Sequence, residues 1–171
     1  MFSCLRFSLS LLALASAAFL TGCAGPTYTY RYVPGKTATL EGGYAVAPPN
    51  APEGVKVVIA AGNRIVGSPY SYGGGHGDRL DGSFDCSGTV SYALRAAGLL
   101  RSPMPSTSFR HYGDAGEGKW LSVWARKGHV FLVVAGLRLD TGYTGYAEGP
   151  RWTTKSRPNK GGTVIRHPAG W

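Results

Sequence analysis

Apolar and polar positions divide the chain into stretches of different character. Leu9 to Leu20 (LSLLALASAAFL) is an apolar run. Residues 24–52 lack a sustained apolar period and are rich in Pro, Gly, Thr and Tyr, which predicts an extended tether. In Val55–Val66 (VKVVIAAGNRIV), Val57, Val58, Ala61 and Ile65 fall near helical spacing. Gly67 to Gly82 is a glycine-rich loop. A clearer helix is predicted over Ser87–Leu99: Val90, Leu94 and Ala97 line one face, Asp85 stands at the N-cap, and Gly98 lies near the stop. Residues 101–128 are broken by Pro103, Pro105 and several glycines, and read as loop with one short strand at Trp120–Trp124. His129–Ala135 and Leu137–Asp140, separated by Gly136, predict strand, turn and strand, and Thr163–Arg166 predicts a last strand. A helix ahead of a run of antiparallel strands defines an α+β domain.

The N-terminal run changes the picture of where the chain resides. It is shorter than the roughly 20 apolar residues of a permanent membrane span, and Arg6 precedes it, as in a secretory leader. It ends in Leu20-Thr21-Gly22-Cys23, which resembles the bacterial lipobox, in which the cysteine thiol is acylated and the chain is cut just before it. The resemblance implies a leader over residues 1–22, lipidation at Cys23, a lipidated tether over 23–53 and a folded domain over 54–171. It also implies a place in the cell envelope, at the outer membrane facing the periplasm in a Gram-negative cell. Cys4 leaves with such a leader, so Cys86 alone remains without a disulfide partner, which makes it a candidate nucleophile. Without Arg6 the mature chain has 17 basic and 9 acidic residues, a net charge of +8. In an envelope setting acidic glycopolymers, lipid phosphates and stem-peptide carboxylates are better partners than nucleic acid, but the basic residues are scattered, so the charge reads first as a solvated surface. No nucleic-acid partner is expected, and a monomer is.

A nucleophilic thiol needs an activated state, a base and donors for the developing oxyanion. Cys86 opens the second predicted helix, where free N–H groups and the positive dipole end favour a thiolate and predict a lowered pKa. His129 opens a predicted strand, a rigid platform for an imidazole. Asp140 closes the next strand, and in a tight strand pair the end of one lies beside the start of the other. Asp140 is therefore expected to orient His129 as the third member of a triad.

These residues resemble the NlpC/P60 family of cell-wall peptidases. The resemblance is carried by Tyr70-Ser71-Tyr72-Gly73-Gly74, then Phe84-Asp85-Cys86-Ser87-Gly88, then Gly128-His129-Val130, over roughly residues 54–168. It implies a papain-like fold, with an N-terminal helix bearing the cysteine packed on a small antiparallel sheet. It also implies that Cys86 is the nucleophile, His129 the base, Asp140 the orienting residue and Tyr70 an oxyanion donor. Asp85 and Ser87 match positions lining the substrate groove. The implied reaction is hydrolysis of an amide bond in peptidoglycan stem peptides through a thioester, between D-glutamate and the diamino acid, with no cofactor. Asp140 departs from the family's usual His, Asn or Gln, and the loop before the cysteine (GGGHGDRLDG) carries extra residues. The tail from Gly142 is long and basic, and its Arg151, Lys155 and Arg157 are candidates for contact with stem carboxylates.

Rival readings are few. A non-catalytic lipoprotein that binds wall material or a partner enzyme accounts for the tether and the charge but leaves the Cys–His pair without a purpose. Acyl transfer on lipid by a relative of the fold ordinarily reverses the order of Cys and His. His76 with Asp78 and Asp81 is read as solvated turn chemistry, so no metal is expected. His111 and His167 read as structural. Gly113 to Lys119 has Walker A spacing, but Trp120 stands where a metal-binding hydroxyl belongs.

Overall fold

A computed structural model describes residues 25–77, 82–142, 148–158 and 161–171. The first 22 residues and Cys23, on which the leader and lipidation expectations rest, lie outside them. The chain opens with the strands β1 (Thr39–Glu41) and β2 (Tyr44–Val46), followed by helix α1 (Glu53–Ile65) and helix α2 (Cys86–Ala96). A short 3-10 turn (Ser108–His111) leads to β3 (Asp114–Ala115), β4 (Leu121–Arg126), β5 (His129–Val134), β6 (Leu137–Asp140), β7 (Arg151–Thr153) and β8 (Val164–His167). The last six strands form one antiparallel sheet in the order β3-β8-β4-β5-β6-β7. This is the α+β class expected, although the cysteine lies on the second helix, not the first. No helix among the described residues is long and apolar enough to cross a membrane.

Alternation along each strand sends successive side chains to opposite faces. Leu121, Val123 and Ala125 of β4, Val130, Leu132 and Val134 of β5, and Leu137 and Leu139 of β6 share one core with Val55, Val58 and Ile59 of α1 and Val90, Ala93 and Leu94 of α2. The other face carries Trp124, Phe131, Val133 and Ile165, and Tyr28 covers it. The sheet is therefore buried on both sides, which is why HVFLVV reads as continuously apolar. The β5–β6 hairpin closes through two residues of positive φ, Ala135 (46°) and Gly136 (78°), between the paired Val134 and Leu137. Two positive φ angles make a type I′ turn, whose twist matches that of the strands.

The tether expected over residues 24–52 does not hold for the described part of it. Tyr28, Ala38, Ala45 and Ala51 are buried, and the β1–β2 hairpin docks on α1. The Asn63 amide clamps that hairpin, donating to the Ala45 carbonyl and accepting from its N–H, both at 2.9 Å. Ala38 N–H donates to the Ala135 carbonyl at 2.8 Å, which ties the segment to the β5–β6 turn. Isolated small residues and one tyrosine make these contacts, so they leave no periodic signal. β7 lies in the basic tail after Gly142, where no apolar period marks a strand.

Gly62 lets α1 approach the sheet. A Cβ there would lie 2.5 Å from Cζ2 of Trp152 and 3.1 Å from Cδ2 of Leu139. Gly62→Ala gains about 1 kcal/mol of helix propensity and loses about 1–3 kcal/mol to overpacking against a buried indole. The urea midpoint is expected to fall; a rise would mean that Trp152 can move aside.

Candidate active site

Cys86 begins α2 with Asp85 as N-cap, its carboxylate accepting from Gly88 N–H at 2.7 Å. The same carboxylate accepts from Ser87 Oγ–H at 2.9 Å and from Gly73 N–H at 2.9 Å. This anchors the Gly73-Gly74 turn to the helix start, and Asp85 N–H donates to the Gly74 carbonyl at 3.1 Å. Gly88 makes the approach possible, because a Cβ on it would sit 1.9 Å from the Gly74 oxygen. The Gly-Gly pair and the Asp-Cys-Ser-Gly block are thus two sides of one contact.

His129 opens β5 and Asp140 ends β6. Nε2 of His129 lies 2.9 Å from Oδ1 of Asp140. An ionised carboxylate only accepts, so Nε2 carries the proton and Nδ1 is left with a lone pair. Asp140 is 2% exposed. Its Oδ1 also accepts from Thr141 N–H at 2.8 Å, and its Oδ2 accepts from Arg157 Nη1 at 2.5 Å, with Arg138 Nε at 3.5 Å. Arg157, expected from sequence as a contact for substrate carboxylates, is instead committed to Asp140. Arg151 pairs with Glu148.

Cys86 opens α2, which packs on β5. The backbone N–H groups of Val130 and Ser87 act on its thiol, and it feels the charges of Asp85 and Asp140. The thiol thus lies one residue along from His129 and within electrostatic range of the carboxylate that holds the imidazole. Tyr70, in an isolated bridge with Phe84, is close enough for its phenol to feel the charge of Cys86. Burial raises that phenol's pKa, with Cys86 the next cause, so the hydroxyl keeps its proton and remains a donor.

The expected acidity of Cys86 is not what the structure has. Burial pushes the thiol above its ordinary pKa, the negative charges of Asp85 and Asp140 add to the rise, and the N–H groups of Val130 and Ser87 only partly oppose it. The helix start supplies donors, but they are outweighed by loss of water.

His76 also departs from expectation. Its Nε2 lies 3.1 Å from Ser87 Oγ and 3.3 Å from Asp85 Oδ1, so it is a neighbour of the cysteine block and not a solvated turn residue. Asp78 and Asp81 lie outside the described residues. Among the described residues no group of three or more His, Cys, Asp or Glu could hold a metal ion. His167 Nδ1 meets the Gly116 carbonyl at 3.1 Å on the far edge of the sheet.

The fold and these residues define an α+β domain with a partly buried cysteine at a helix start beside a His–Asp pair on two neighbouring strands. No family model matches the chain, and no curated protein matches it. Among solved structures, a hypothetical invasion protein of Mycobacterium tuberculosis is similar at 20% identity and a TM-score of 0.49, over 70% of this chain and 64% of that one. A mutated form of the resuscitation promoting factor interacting protein RipA is similar at 21% identity and a TM-score of 0.48, again over 70% and 64%. A second mutated form of RipA gives 22% identity and a TM-score of 0.45, over 68% of this chain and 63% of that one. The chain therefore spans a little less than two thirds of these structures.

Asp85→Asn removes one of the charges that opposes the thiolate while keeping a capping side chain. Alkylation of Cys86 by iodoacetamide is expected to follow pH with a midpoint above that of a free cysteine in the native chain, and with a lower midpoint in the variant. A native midpoint at or below that of free cysteine would contradict the burial argument.

Proposed function

We propose that this chain is an NlpC/P60-type cysteine peptidase that hydrolyses an amide bond of peptidoglycan stem peptides. The observation that carries the reading is the 2.9 Å bond between His129 and Asp140, set beside a thiol at the Val130 N–H. A lone buried thiol has no structural need of an imidazole whose other nitrogen is tied to a carboxylate. The motif blocks around Tyr70, Cys86 and His129 supply the substrate class.

In this mechanism the thiol is protonated at rest, because burial raises its pKa. The proton must therefore leave as sulfur attacks the scissile carbonyl, and Nδ1 of His129 takes it as general base. Asp140 holds the ring and stabilises its charged form, in the manner of a triad's third member. The oxyanion receives N–H groups at the start of α2 and the Tyr70 hydroxyl. Collapse of the adduct breaks the C–N bond, the amine leaves with the proton from His129, and a thioester remains on Cys86. Water, deprotonated by the same imidazole, releases the acid and restores the thiol. Asp85 and Ser87, matched in sequence to groove-lining positions, are buried beside Cys86 and hold its turn, and the D-glutamyl–diamino acid bond is the proposed target.

We further propose lipidation at Cys23 after removal of residues 1–22. Tyr28 is already packed on the sheet, and four residues separate it from Cys23, at most about 14 Å of extended chain. Such a lipoprotein works close to the membrane surface. Cys23→Ser is expected to abolish incorporation of labelled palmitate and to move the protein into the soluble fraction; palmitate retained by the variant would place the anchor elsewhere.

Digestion of purified peptidoglycan, with fragments identified by mass, tests the activity. The native chain should release stem-peptide fragments whose masses name the bond cut. Cys86→Ala should release none, and His129→Ala should be slower by about 10²–10⁴-fold. If the native chain releases nothing and Cys86 is inert to alkylation at every pH, a wall-binding lipoprotein becomes the better reading.

A further inference from the structure

Asp140 is held by more than an imidazole. Its Oδ2 is the acceptor for Arg157 at 2.5 Å, with Arg138 at 3.5 Å on the same atom. Both guanidinium groups are layered with aromatic rings: Arg138 Cζ lies 5.2 Å from the Tyr28 ring centroid and 5.6 Å from that of Phe131, and Arg157 Cζ lies 5.7 Å from that of Phe131. Tyr28 is 3% exposed and meets Trp124 and Phe131 edge-on, both at 6.3 Å. Its backbone carbonyl accepts from Arg157 N–H at 3.1 Å, in an isolated antiparallel bridge, and its hydroxyl donates to the Gly136 carbonyl at 2.9 Å. The residue that fixes the backbone of Arg157 thus comes from the N-terminal segment, far away in sequence.

We propose that Arg157 is a positioning residue for the His129 base, that it does so by holding and charge-compensating Asp140, and that Tyr28 is the clamp that keeps Arg157 in place. The proposal rests on the peptidase reading above. A bare buried carboxylate 2.9 Å from an imidazole would favour the imidazolium and so spoil a general base near neutral pH. With Arg157 paired to Oδ2, the carboxylate still orients the ring through Oδ1 while part of its charge is offset. The same contact holds the ring in one orientation for taking up the thiol proton.

The charged and titratable groups around His129 come from each neighbouring element. Arg126 is its cross-strand partner on β4, Arg138 and Asp140 lie on β6, and Arg157 lies after β7. Cys86 and Asp85 stand at the start of α2, Tyr70 precedes it, and Tyr28 lies over the outer face. Arg157 is singled out because its contact to Asp140, at 2.5 Å, is shorter than those of His129 at 2.9 Å and Arg138 at 3.5 Å, and because a backbone bridge fixes it.

The test uses the full chain in detergent, with kcat and KM for a stem peptide measured against pH. Arg157→Gln should lower kcat with little change in KM, and should move the acid limb of kcat/KM to higher pH by about one unit. Arg157→Lys, which keeps the charge, should return the limb towards its native position. Tyr28→Ala should shift the limb in the same direction as Arg157→Gln, and Tyr28→Phe, which keeps the ring and the backbone bridge, should not. A lower rate with an unmoved limb, or an equal loss in the Lys variant, would reduce Arg157 to a packing residue and overturn the proposal. The His129 ring protons, titrated by NMR in the native and Arg157→Gln chains, report the same shift without turnover. If the native chain cleaves nothing but the ring titration moves upward, the peptidase reading fails and the positioning role stands; an unmoved titration defeats the positioning role whatever the activity.

Discussion

A carboxylate almost wholly removed from water is the constraint around which this site is arranged. Stripping an ion of its hydration costs several kcal/mol in a real protein, and the charge persists only where partners replace the water. Asp140 finds four of them on three stretches of chain: the imidazole of His129, the guanidinium of Arg157, and on its own stretch the backbone of Thr141 and the guanidinium of Arg138. Each partner that satisfies the carboxylate is immobilised by doing so. The orientation of the candidate base is therefore a by-product of an electrostatic requirement that would exist without any substrate.

That requirement explains the different composition of the two sides of the sheet. The helix side is filled by aliphatic residues of β4, β5 and β6 against α1 and α2. The other side alternates in register, so His129 and Phe131 on β5 share it with Arg138 and Asp140 on β6. Charges on that side need a roof that excludes water yet tolerates cations. Aromatic rings serve, because their faces attract guanidinium groups while their area is apolar. Tyr28, Trp124 and Phe131 form that roof, and Cys86 approaches the first residues of β5 from the helix side.

The elements bearing Cys86, His129 and Asp140 were legible in the chain because each is a local signal. An N-cap before a helical stripe, a glycine before an apolar strand, and an aspartate at a strand end all lie within a few residues of what they predict. The His129–Asp140 contact follows from a hairpin of known period. Arg157 and Tyr28 were not legible as part of the site, because their connection to Asp140 spans 17 residues in one case and most of the domain in the other. The segment before α1 looked like a tether for the same reason: Ala38, Ala45 and Tyr28 are buried singly, and single contacts have no period. His76 was misplaced because a loop's polar side chains give no hint of which helix start they will meet.

The thiol's acidity was misjudged through magnitude, not geometry. Helix-start interactions are worth typically 0.3–1 kcal/mol for a charge at an exposed end, whereas burial can move an ionisable group by as much as several pKa units. At Cys86 burial prevails, helped by two nearby carboxylates. The result suits a lone cysteine on a chain proposed to work outside the reducing cytosol. Oxidation proceeds through the thiolate, so a buried thiol that keeps its proton is a poor target for oxidants. Such a thiol also depends more heavily on its base, since nothing ionises it in advance. On the proposed mechanism that dependence falls on His129, and the pairing of Asp140 with Arg157 bears directly on it.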